Sequence, residues 1–388
     1  MDGQARDLIS KFQARYGGGH RPRVFRAPGR VNLIGEHTDY NLGFVLPIAL
    51  DLACYVAAAP ADNGTLRVFS VNAGEERCWE TARIPYLRPA GDWGDYVAGV
   101  ALELARTGYE IRPADLLIES TVPFGGGLSS SASLEVSTVL ALLGGRPIDP
   151  LELIKLARRA ENDFAGMPCG IMDQFISVFG RQDCALWIDC RTLESEAVRL
   201  PAAVEIIAVN SMVKHSLGGT AYRDRVAECR QAVEAIRAKR PEVHSLRDAT
   251  LDQVELAAGT PRKRARHVVT EIRRVEEFVA ASSRGDLAAM GALFVESHRS
   301  LQADYEVSCA ELDFLVDTAV RVPGVFGSRM TGGGFGGCTV SLVAPEAVER
   351  FQEEIVRAYR ARFGMEPRVY RCVPSAGAGE MRDLEGAP

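Results

Sequence analysis

A run of glycines and serines is the part of the chain whose composition points most directly to chemistry. Residues 122–133 read Val-Pro-Phe-Gly-Gly-Gly-Leu-Ser-Ser-Ser-Ala-Ser and lie between a predicted strand and a predicted helix. Glycines let the backbone N–H groups turn toward a ligand, and serines at a helix start add hydroxyls near the positive end of its dipole. The string predicts a phosphate site, with Ser131 as a candidate hydroxyl ligand for Mg²⁺. It lacks the GxxxxGK[ST] of a Walker A loop, and a flexible turn with serine helix caps is the alternative.

A second glycine-rich stretch lies near the end of the chain. Residues 331–337 read Thr-Gly-Gly-Gly-Phe-Gly-Gly and lie between two predicted strands. So many glycines usually indicate that the backbone closely approaches a ligand or another loop. On composition alone, a glycine-rich hairpin explains this stretch equally well.

Charged and polar side chains are concentrated in residues 29–43, which read Gly-Arg-Val-Asn-Leu-Ile-Gly-Glu-His-Thr-Asp-Tyr-Asn-Leu-Gly. Carboxylate and imidazole groups suit sugar hydroxyls because each donates or accepts hydrogen bonds in fixed directions. A solvated polar loop is the alternative, and composition alone favours it. Two carboxylates elsewhere are equally ambiguous: Asp173 could be a helix N-terminal acid stabilised by the dipole, and Glu161 an exposed helix charge.

Composition argues against several classes of function. The 388 residues carry a formal net charge of −6, and no run of Lys and Arg with interleaved aromatics is present, so we expect no nucleic-acid partner. The nine cysteines are scattered without a CxxC pair, which favours reduced thiols over disulfides or a zinc site. The N-terminus lacks the apolar segment of a signal peptide, and no apolar stretch of about 18 residues is present. We therefore expect a cytoplasmic protein with no membrane contact.

The order of predicted elements indicates an α+β fold, because strands and helices occur in groups rather than in βαβ alternation. A turn is predicted at Pro28–Gly29, and residues 53–58 and 66–71 are predicted to form a hairpin around the turn at 61–64. The other predicted elements are helices at 5–16, 95–106, 130–143, 150–164, 171–179, 262–281 and 346–362, and strands at 22–27, 44–50, 116–120, 185–188, 204–209, 325–330, 339–343 and 368–372.

We expect two closely packed lobes. Residues 1–190 would form an N-terminal lobe that carries residues 29–43 and 122–133, and residues 191–388 a C-terminal lobe that carries residues 331–337. The last dozen residues, rich in Gly, Ala and charge, are predicted to be a loose tail.

Taken together, these strings resemble the galactokinases, which are members of the GHMP kinase superfamily. Residues 29–40 (GRVNLIGEHTDY) are similar to the galactokinase signature, residues 122–133 to the superfamily phosphate loop, and residues 331–337 to its third motif. Residues 164–177 (FAGMPCGIMDQFIS) also resemble galactokinase sequence, and the match covers nearly the whole chain. The resemblance implies a two-lobed GHMP-kinase-like fold with mixed or antiparallel sheets packed against helices. It also implies transfer of the γ-phosphoryl group of Mg·ATP to the O1 hydroxyl of galactose.

The resemblance implies roles for the matching positions. Arg30 and Asp173 are implied as the catalytic pair: Arg30 would stabilise the transferring group, and Asp173 would accept the proton of the O1 hydroxyl or orient that hydroxyl. The implied sugar-binding residues are Arg30, Glu36, His37, Asp39, Gly170, Asp173 and Tyr222. The implied ATP-binding residues are Trp93, Gly125, Gly126, Gly127, Leu128, Ser129, Ser130 and Ser131. The implied Mg²⁺ ligands are Ser131 and Glu161.

Two other functions stay open at this point. One is a kinase for N-acetylgalactosamine, because relatives of that kind tend to have Ile where Thr38 stands and the assignment of the sugar depends on few residues. The other is a regulator that senses galactose and ATP without phosphorylation. The intact serine run at 129–133, together with Arg30 and Asp173, argues against the regulator. We expect galactose and ATP as partners and a monomer, with an oligomer as the open alternative.

Overall fold

The computed structural model describes residues 3–17, 19–214 and 218–382. The strands in chain order are β1 (Arg23–Asn32), β2 (Phe44–Val45), β3 (Pro47–Pro60), β4 (Thr65–Ser70), β5 (Glu75–Glu80), β6 (Ala114–Ser120), β7 (Cys184–Asp189), β8 (Ser195–Arg199), β9 (Glu205–Lys214), β10 (Val325–Thr331), β11 (Gly336–Val343), β12 (Arg368–Arg371) and β13 (Gly379–Glu380). The α-helices in chain order are α1 (Gly3–Tyr16), α2 (Gly94–Arg106), α3 (Ser130–Leu143), α4 (Pro150–Arg159), α5 (Met172–Phe179), α6 (Gly218–Arg237), α7 (Leu251–Val254), α8 (Gly259–Arg284), α9 (Leu287–Ser300), α10 (Ala310–Ala319) and α11 (Val348–Phe363).

These strands form three sheets. A six-stranded sheet has the order β13-β1-β3-β6-β4-β5, a four-stranded sheet the order β10-β11-β9-β12, and a three-stranded sheet the order β2-β7-β8. The β4–β6 pair is parallel, which makes the six-stranded sheet mixed. The four-stranded and three-stranded sheets are built from antiparallel pairs. The predicted α+β class is confirmed.

A shared hydrophobic core joins the first and second halves of the chain. One cluster of buried side chains includes Val31 and Leu46 together with Val275, Phe294 and Val340, each fully buried. Burial of each aliphatic or aromatic side chain of this kind contributes about 1.5–3 kcal/mol. The charged segment at 29–43 and the glycine stretch at 331–337 are therefore supported by the same hydrophobic core, although they are far apart in sequence.

The hairpin predicted over residues 53–58 and 66–71 is wrong. Both runs are strands, but β3 pairs with β1 and β6, whereas β4 pairs with β6 and β5. Strand β6 buries residues 115–118 and lies between them. A strand that is buried on both faces gains most from a partner on each side, and this favours the insertion of β6 over a local hairpin.

The turn predicted at Pro28–Gly29 is also wrong. Strand β1 continues through both residues, with a register shift against β3 between Pro28 and Arg30. A bulge accommodates the missing N–H of proline, so the strand bends without ending.

Part of the predicted loose tail is ordered. Strand β13 pairs with β1, and Arg23 Nε donates to Glu380 Oε1 at 2.6 Å. Residues 383–388 lie outside the described residues. Strand β8 pairs with β7, so the three-stranded sheet extends past residue 190, and the division of the chain into lobes near that residue stays a prediction. Over the described ranges, we find no helix with both the length and the apolar composition needed to cross a lipid bilayer.

Candidate active site

The glycine-serine string forms the loop and helix start that its composition predicts. It connects β6 to α3, and Ser129 is the N-cap residue of α3, with a φ of 59°. Gly125 and Gly127 have φ values of 68° and 75°, a region that glycine adopts most easily. The helix start brings the side chains of Ser130 and Ser131 to the wall of an open cleft of about 600 Å³. The first N–H groups of a helix have no partner within the helix, so this end of the cleft suits an anion.

The second glycine stretch lies against the first. Cys338 Sγ is 2.8 Å from the carbonyl oxygen of Gly126, and a Cβ added at Gly332 would lie 3.2 Å from the carbonyl oxygen of Gly127. Residues 333–337 line the same cleft. The glycines of the second stretch therefore allow its backbone to pack on the backbone of the first loop at the wall of the cleft.

Arg30 and Asp173 form a two-pronged ion pair beside this loop. Arg30 Nε lies 2.9 Å from Asp173 Oδ1, and Nη2 lies 2.8 Å from Oδ2. Arg30 Nη1 also donates to the carbonyl oxygen of Gly127 at 2.6 Å, and the Ser129 hydroxyl donates to Asp173 Oδ2. Arg30 comes from β1 and Asp173 from the first turn of α5. Both side chains are held in one geometry, as bidentate pairing favours.

A smaller pocket of about 160 Å³ adjoins the cleft. Arg30, Asp173, Pro168, Tyr222 and Gly333 line both spaces. The ion pair therefore lies on the wall where the two spaces meet. The seven predicted sugar-binding residues, Arg30, Glu36, His37, Asp39, Gly170, Asp173 and Tyr222, all line the smaller pocket.

Glu36 lines this pocket, but its carboxylate is already bound within the protein. Oε1 accepts from the Thr331 hydroxyl at 3.0 Å and from the Gly332 N–H at 2.9 Å. Oε2 accepts from the Asn32 amide at 2.8 Å and lies 2.5 Å from Arg329 Nη1. Burial raises the pKa of Glu36 despite the neighbouring Arg329 cation. Glu36 thus ties the charged segment to the second glycine stretch.

Further buried charges strengthen the connection between the charged segment at 29–43 and the second glycine stretch. Arg329 is fully buried, donates to the Leu33 carbonyl oxygen at 2.7 Å, and lies 3.5 Å from Glu271. Glu271 also accepts from Arg274 at 2.7 Å. Burial alone would raise the pKa of Glu271, but Arg274 and Arg329 outweigh it and bring that pKa to about 2. Removal of one partner from a buried ion pair typically costs about 3–5 kcal/mol, so this network resists rearrangement.

His37 lines the pocket and has one ring nitrogen without a hydrogen-bond partner among the described residues. Its Nδ1 lies 2.8 Å from the Tyr40 hydroxyl, whereas Nε2 is buried and has no hydrogen-bond partner among the described residues. Burial lowers the pKa of His37 well below its usual value, so the ring is neutral near pH 7. A buried polar atom without a partner is costly, and a ligand hydroxyl would satisfy it.

Asp39 and Gly170 are in direct contact. A Cβ added at Gly170 would lie 1.6 Å from Asp39 Oδ2, so only glycine fits there without displacing the carboxylate. Burial, reinforced by the charge of Asp173, raises the pKa of Asp39 to about 6. This carboxylate is therefore confined between Gly170 and the pocket.

Two buried carboxyl groups lie near Ser131 and have no cationic partner among the described residues. Gln174 Nε2 donates to Glu161 at 2.6 Å and to Glu135 at 3.1 Å, and Ser131 forms a hydrogen bond to Glu161. Burial, reinforced by the charge of Asp173, raises the pKa of Glu161 to about 7. Oε1 of Glu135 has no partner in the part of the chain described. This excess of negative groups fits a cation.

The described ranges hold no cluster of three or more His, Cys, Asp or Glu suited to a metal ion. A cation beside Ser131 and Glu161 would therefore take its remaining ligands from phosphates and water, as Mg²⁺ usually does.

Trp93 lies where the cleft meets a mostly apolar pocket of about 160 Å³. Cys54, Ile118, Phe124 and Leu134 also line that pocket. An apolar slot beside a tryptophan suits the flat face of an aromatic base.

Two predicted ATP-binding residues do not line the cleft. The Leu128 side chain is fully buried in the core, and Gly126 backs onto Asn210, whose Nδ2 would lie 2.8 Å from an added Cβ. The other predicted positions, Trp93, Gly125, Gly127, Ser129, Ser130 and Ser131, line it, as does Glu161. Lining residues that sequence reasoning missed are Tyr96, Phe124, Leu134, Met167 and Pro168. Isolated apolar residues carry no spacing signal, although Met167 and Pro168 lie within the recognised string at 164–177 and Phe124 within that at 122–133.

Three parts of the chain match models of known protein families. Residues 10–60 match the galactokinase galactose-binding signature, residues 95–181 the GHMP kinases N terminal domain, and residues 277–361 the GHMP kinases C terminal model. The galactokinase of Roseiflexus sp. (strain RS-1) is 46% identical over 384 residues, which is 97% of each chain. The galactokinase of Homo sapiens is 45% identical over 350 residues, covering 84% of this chain and 86% of the human one.

Solved structures show the same relationship. The crystal structure of Lactococcus lactis galactokinase complexed with galactose has a TM-score of 0.92 and 34% sequence identity, covering 97% of this chain and 100% of that one. The mevalonate kinase of Methanococcus jannaschii has a TM-score of 0.65 at 18% identity, covering 92% of this chain and 99% of that one. The second likeness shows the shared fold, and the predicted GHMP-kinase-like architecture is confirmed.

Proposed function

The chain belongs to the galactokinase family of GHMP kinases and is an ATP-dependent sugar kinase, and on that premise we propose how its own residues act. The proposed reaction transfers the γ-phosphoryl group of Mg·ATP to the O1 hydroxyl of D-galactose and yields galactose 1-phosphate and ADP. The proposal rests above all on the position of the Arg30–Asp173 pair, because both residues line the phosphate-loop cleft and the smaller pocket.

In this proposal Asp173 acts on the sugar hydroxyl. The O1–H bond breaks as O1 bonds to the γ-phosphorus, and the proton passes to the Asp173 carboxylate. The bond between the γ-phosphorus and the oxygen that links it to the β-phosphorus breaks, and its electron pair leaves with ADP. Arg30 is always cationic, so it stabilises charge on the transferring group while its two prongs fix the Asp173 carboxylate. If the transition state is loose, Asp173 contributes mainly by orienting O1.

The smaller pocket is proposed to hold the sugar. The free Nε2 of His37 and the confined Asp39 carboxylate offer hydrogen-bonding groups to its hydroxyls. Glu36 has four internal partners, so its proposed part is to hold the pocket wall, with any sugar contact added to those bonds. Tyr222 lies beside His37, with ring centroids 5.6 Å apart, and closes one side.

The larger cleft is proposed to hold ATP, with its phosphates at the start of α3 and its base beside Trp93. Ser131 and Glu161 would hold Mg²⁺, and the unpaired carboxyl groups of Glu161 and Glu135 support this assignment. The ion would neutralise phosphate charge during transfer. All nine cysteines are free thiols, which agrees with the proposed cytoplasmic location.

A coupled assay of ADP release tests the proposal with Mg·ATP and galactose, N-acetylgalactosamine or glucose as acceptor. We expect turnover on galactose, with the other two sugars at least about 10-fold poorer in kcat/KM. Turnover on N-acetylgalactosamine alone would keep the kinase and overturn the choice of sugar. Binding of galactose and ATP without turnover would identify a sensor instead.

Thr38, the position that bears on the choice between galactose and N-acetylgalactosamine, is not among the residues that line the smaller pocket. Its side chain is fully buried, and its hydroxyl oxygen lies 2.8 Å from the carbonyl oxygen of Gly35 and 2.6 Å from that of Phe44, so its single proton is held between these two acceptors. A Cβ added at Gly43 would also lie only 2.8 Å from the Thr38 Cβ. Thr38 therefore shapes the segment behind the pocket and influences the sugar only indirectly.

A further inference from the structure

A chain of three polar side chains lies behind His37. The Tyr40 hydroxyl is 2.8 Å from His37 Nδ1, the Tyr305 hydroxyl is 2.7 Å from that of Tyr40, and Cys229 Sγ is 3.1 Å from the Tyr305 hydroxyl. Tyr305 is 0% exposed and Cys229 2%. The chain starts in the core and ends at the ring of His37, a residue that lines the pocket. The other ring nitrogen, Nε2, is buried and has no partner among the described residues.

The direction of donation along this chain decides what His37 offers a ligand. A neutral imidazole nitrogen accepts a hydrogen bond better than a phenol oxygen does, and a phenol O–H donates better than an imidazole N–H. The Tyr40 hydroxyl therefore donates to Nδ1. Its oxygen then accepts from the Tyr305 hydroxyl, and the Tyr305 oxygen accepts from the Cys229 thiol. Burial raises the pKa of Cys229 to about 11, which keeps that thiol protonated.

Backbone and ring contacts hold His37 in place. His37 has a φ of 64°, and Asn41 Nδ2 donates to its carbonyl oxygen at 2.8 Å. The Tyr305 ring packs against His37 and His267, with both centroid distances at 4.6 Å. The partner on one nitrogen determines which nitrogen of a neutral imidazole carries the proton, so an accepting Nδ1 leaves the proton on Nε2.

We propose that Tyr40, Tyr305 and Cys229 are positioning residues that hold His37 as the Nε2–H tautomer, so that His37 donates a hydrogen bond to one hydroxyl oxygen of the sugar. The identity of the sugar rests on the proposed function, whereas the tautomer does not. A sugar without that oxygen leaves the buried N–H unsatisfied and is rejected for that reason. The three side chains therefore contribute to specificity although the two deepest lie in the core.

The first test is nitrogen NMR on the full chain labelled with ¹⁵N in the histidine rings. Only six histidines are present, and the His37→Gln variant assigns the His37 signals by their loss. We expect a neutral His37 ring with the proton on Nε2 and a bare Nδ1, without any ligand added. A proton on Nδ1 overturns the proposal, whether or not the enzyme turns over galactose.

The second test measures the dissociation constant of galactose by calorimetry for Tyr40→Phe, Tyr305→Phe and Cys229→Ala. Loss of one neutral hydrogen bond corresponds to about 3- to 10-fold weaker binding. We expect Tyr40→Phe to show this loss, Tyr305→Phe a smaller one, and Cys229→Ala the smallest, with ATP binding within about 2-fold of the parent. Tyr16→Phe is the matched control, since its hydroxyl donates to the Leu116 carbonyl oxygen at 3.1 Å, in a different part of the fold.

Deoxy sugars separate positioning from general destabilisation. The Tyr40→Phe penalty is measured with 2-, 3-, 4- and 6-deoxygalactose. We expect the penalty to shrink to within about 2-fold for one of these sugars, namely the one that lacks the oxygen bound by His37. The hydrogen bond between His37 and the sugar is then already absent, so the further loss of the Tyr40 hydroxyl has little left to weaken. An equal penalty with all four sugars overturns the proposal. If galactose does not bind the parent at all, the proposed function fails, while the nitrogen spectrum still decides the tautomer.

Discussion

The sugar pocket and the Ser131 end of the nucleotide cleft differ in how their charged side chains are compensated. At the sugar pocket, Glu36 has four internal partners and Arg30 pairs fully with Asp173. At the cleft, Glu161 and Glu135 share one amide donor and have no cation among the described residues. The first region is organised before its ligand arrives, whereas the second is completed by what binds there.

This difference separates two kinds of carboxylate that look alike in sequence. Those of the sugar pocket gain their geometry from protein donors, so a substitution there should disturb fit. Those of the cleft gain their partner from a ligand, so a substitution there should disturb the dependence on metal. Three substitutions and one pH dependence test the comparison, in decreasing order of expected effect.

The Asp173→Asn change acts where the two regions meet and should have the largest effect. The isosteric amide keeps one acceptor but cannot take up the O1 proton, so we expect kcat to fall on the order of 100-fold or more. Initial rates with saturating galactose and Mg·ATP measure it. Asp163→Asn is the control, because Asp163 is an exposed carboxylate in the π-helical turn Ala160–Phe164 that follows α4. Near-normal kcat in a folded Asp173→Asn enzyme would remove Asp173 from the mechanism.

Glu161→Gln tests the cleft. Loss of a ligand charge should weaken apparent Mg²⁺ affinity by about 10- to 100-fold, while the dissociation constant of galactose stays within about 2-fold. Nucleotide binding titrated against Mg²⁺ gives the first number and calorimetry the second. The exposed Glu152→Gln change on α4 serves as control. If galactose binding weakens as much as Mg²⁺ binding, the two regions do not differ as described.

Gly170→Ala tests the sugar pocket by shape alone. The new methyl group would meet Asp39 Oδ2, at a Cβ distance of 1.6 Å, and displace it. We expect the KM for galactose to rise about 10-fold or more, with the KM for ATP nearly unchanged. Gly19→Ala, where nothing lies within 4 Å of the added Cβ, is the matched control. An unchanged galactose KM would show that the pocket yields easily, against the account of a region built in advance.

The pH dependence of stability should show the smallest difference. The raised pKa values of Glu161, about 7, and Asp39, about 6, mean that the folded protein holds protons that the unfolded chain releases. Their stabilisation is full below about pH 4 and is lost as the pH rises toward 7. We expect the ligand-free parent to lose about 1 kcal/mol more than Glu161→Gln between pH 5 and about pH 6, by chemical denaturation. Equal losses in both proteins would show that Glu161 ionises normally.

Local signals in the sequence predicted the parts of the molecule that depend on neighbours in the chain. The strand before residue 122, the glycine loop and the helix that starts at Ser130 were foreseeable because turn chemistry and helix-start preferences act over a few residues. The choice of β6 as the neighbour of both β3 and β4 was not, since pairing over long separations depends on burial of the whole sheet.

The same limit holds at the site. The family resemblance named Glu36, but its bonds to Arg329, Thr331 and Gly332 join segments far apart in sequence, and no spacing rule predicts them. The apolar residues around Trp93 were missed because an isolated Phe or Leu looks the same in a binding slot as in a core.

Identification of the phosphorylated product tests the central claim most directly. The enzyme is incubated with Mg·ATP and galactose. The sugar product is then examined by NMR for the coupling between ³¹P and the proton on the carbon that carries the phosphate. The account predicts one product, with the phosphorus coupled to the anomeric proton, and its loss in Asp173→Asn. Phosphorus on another carbon, or ADP formed without any sugar phosphate, would contradict the placement of O1 beside the Arg30–Asp173 pair.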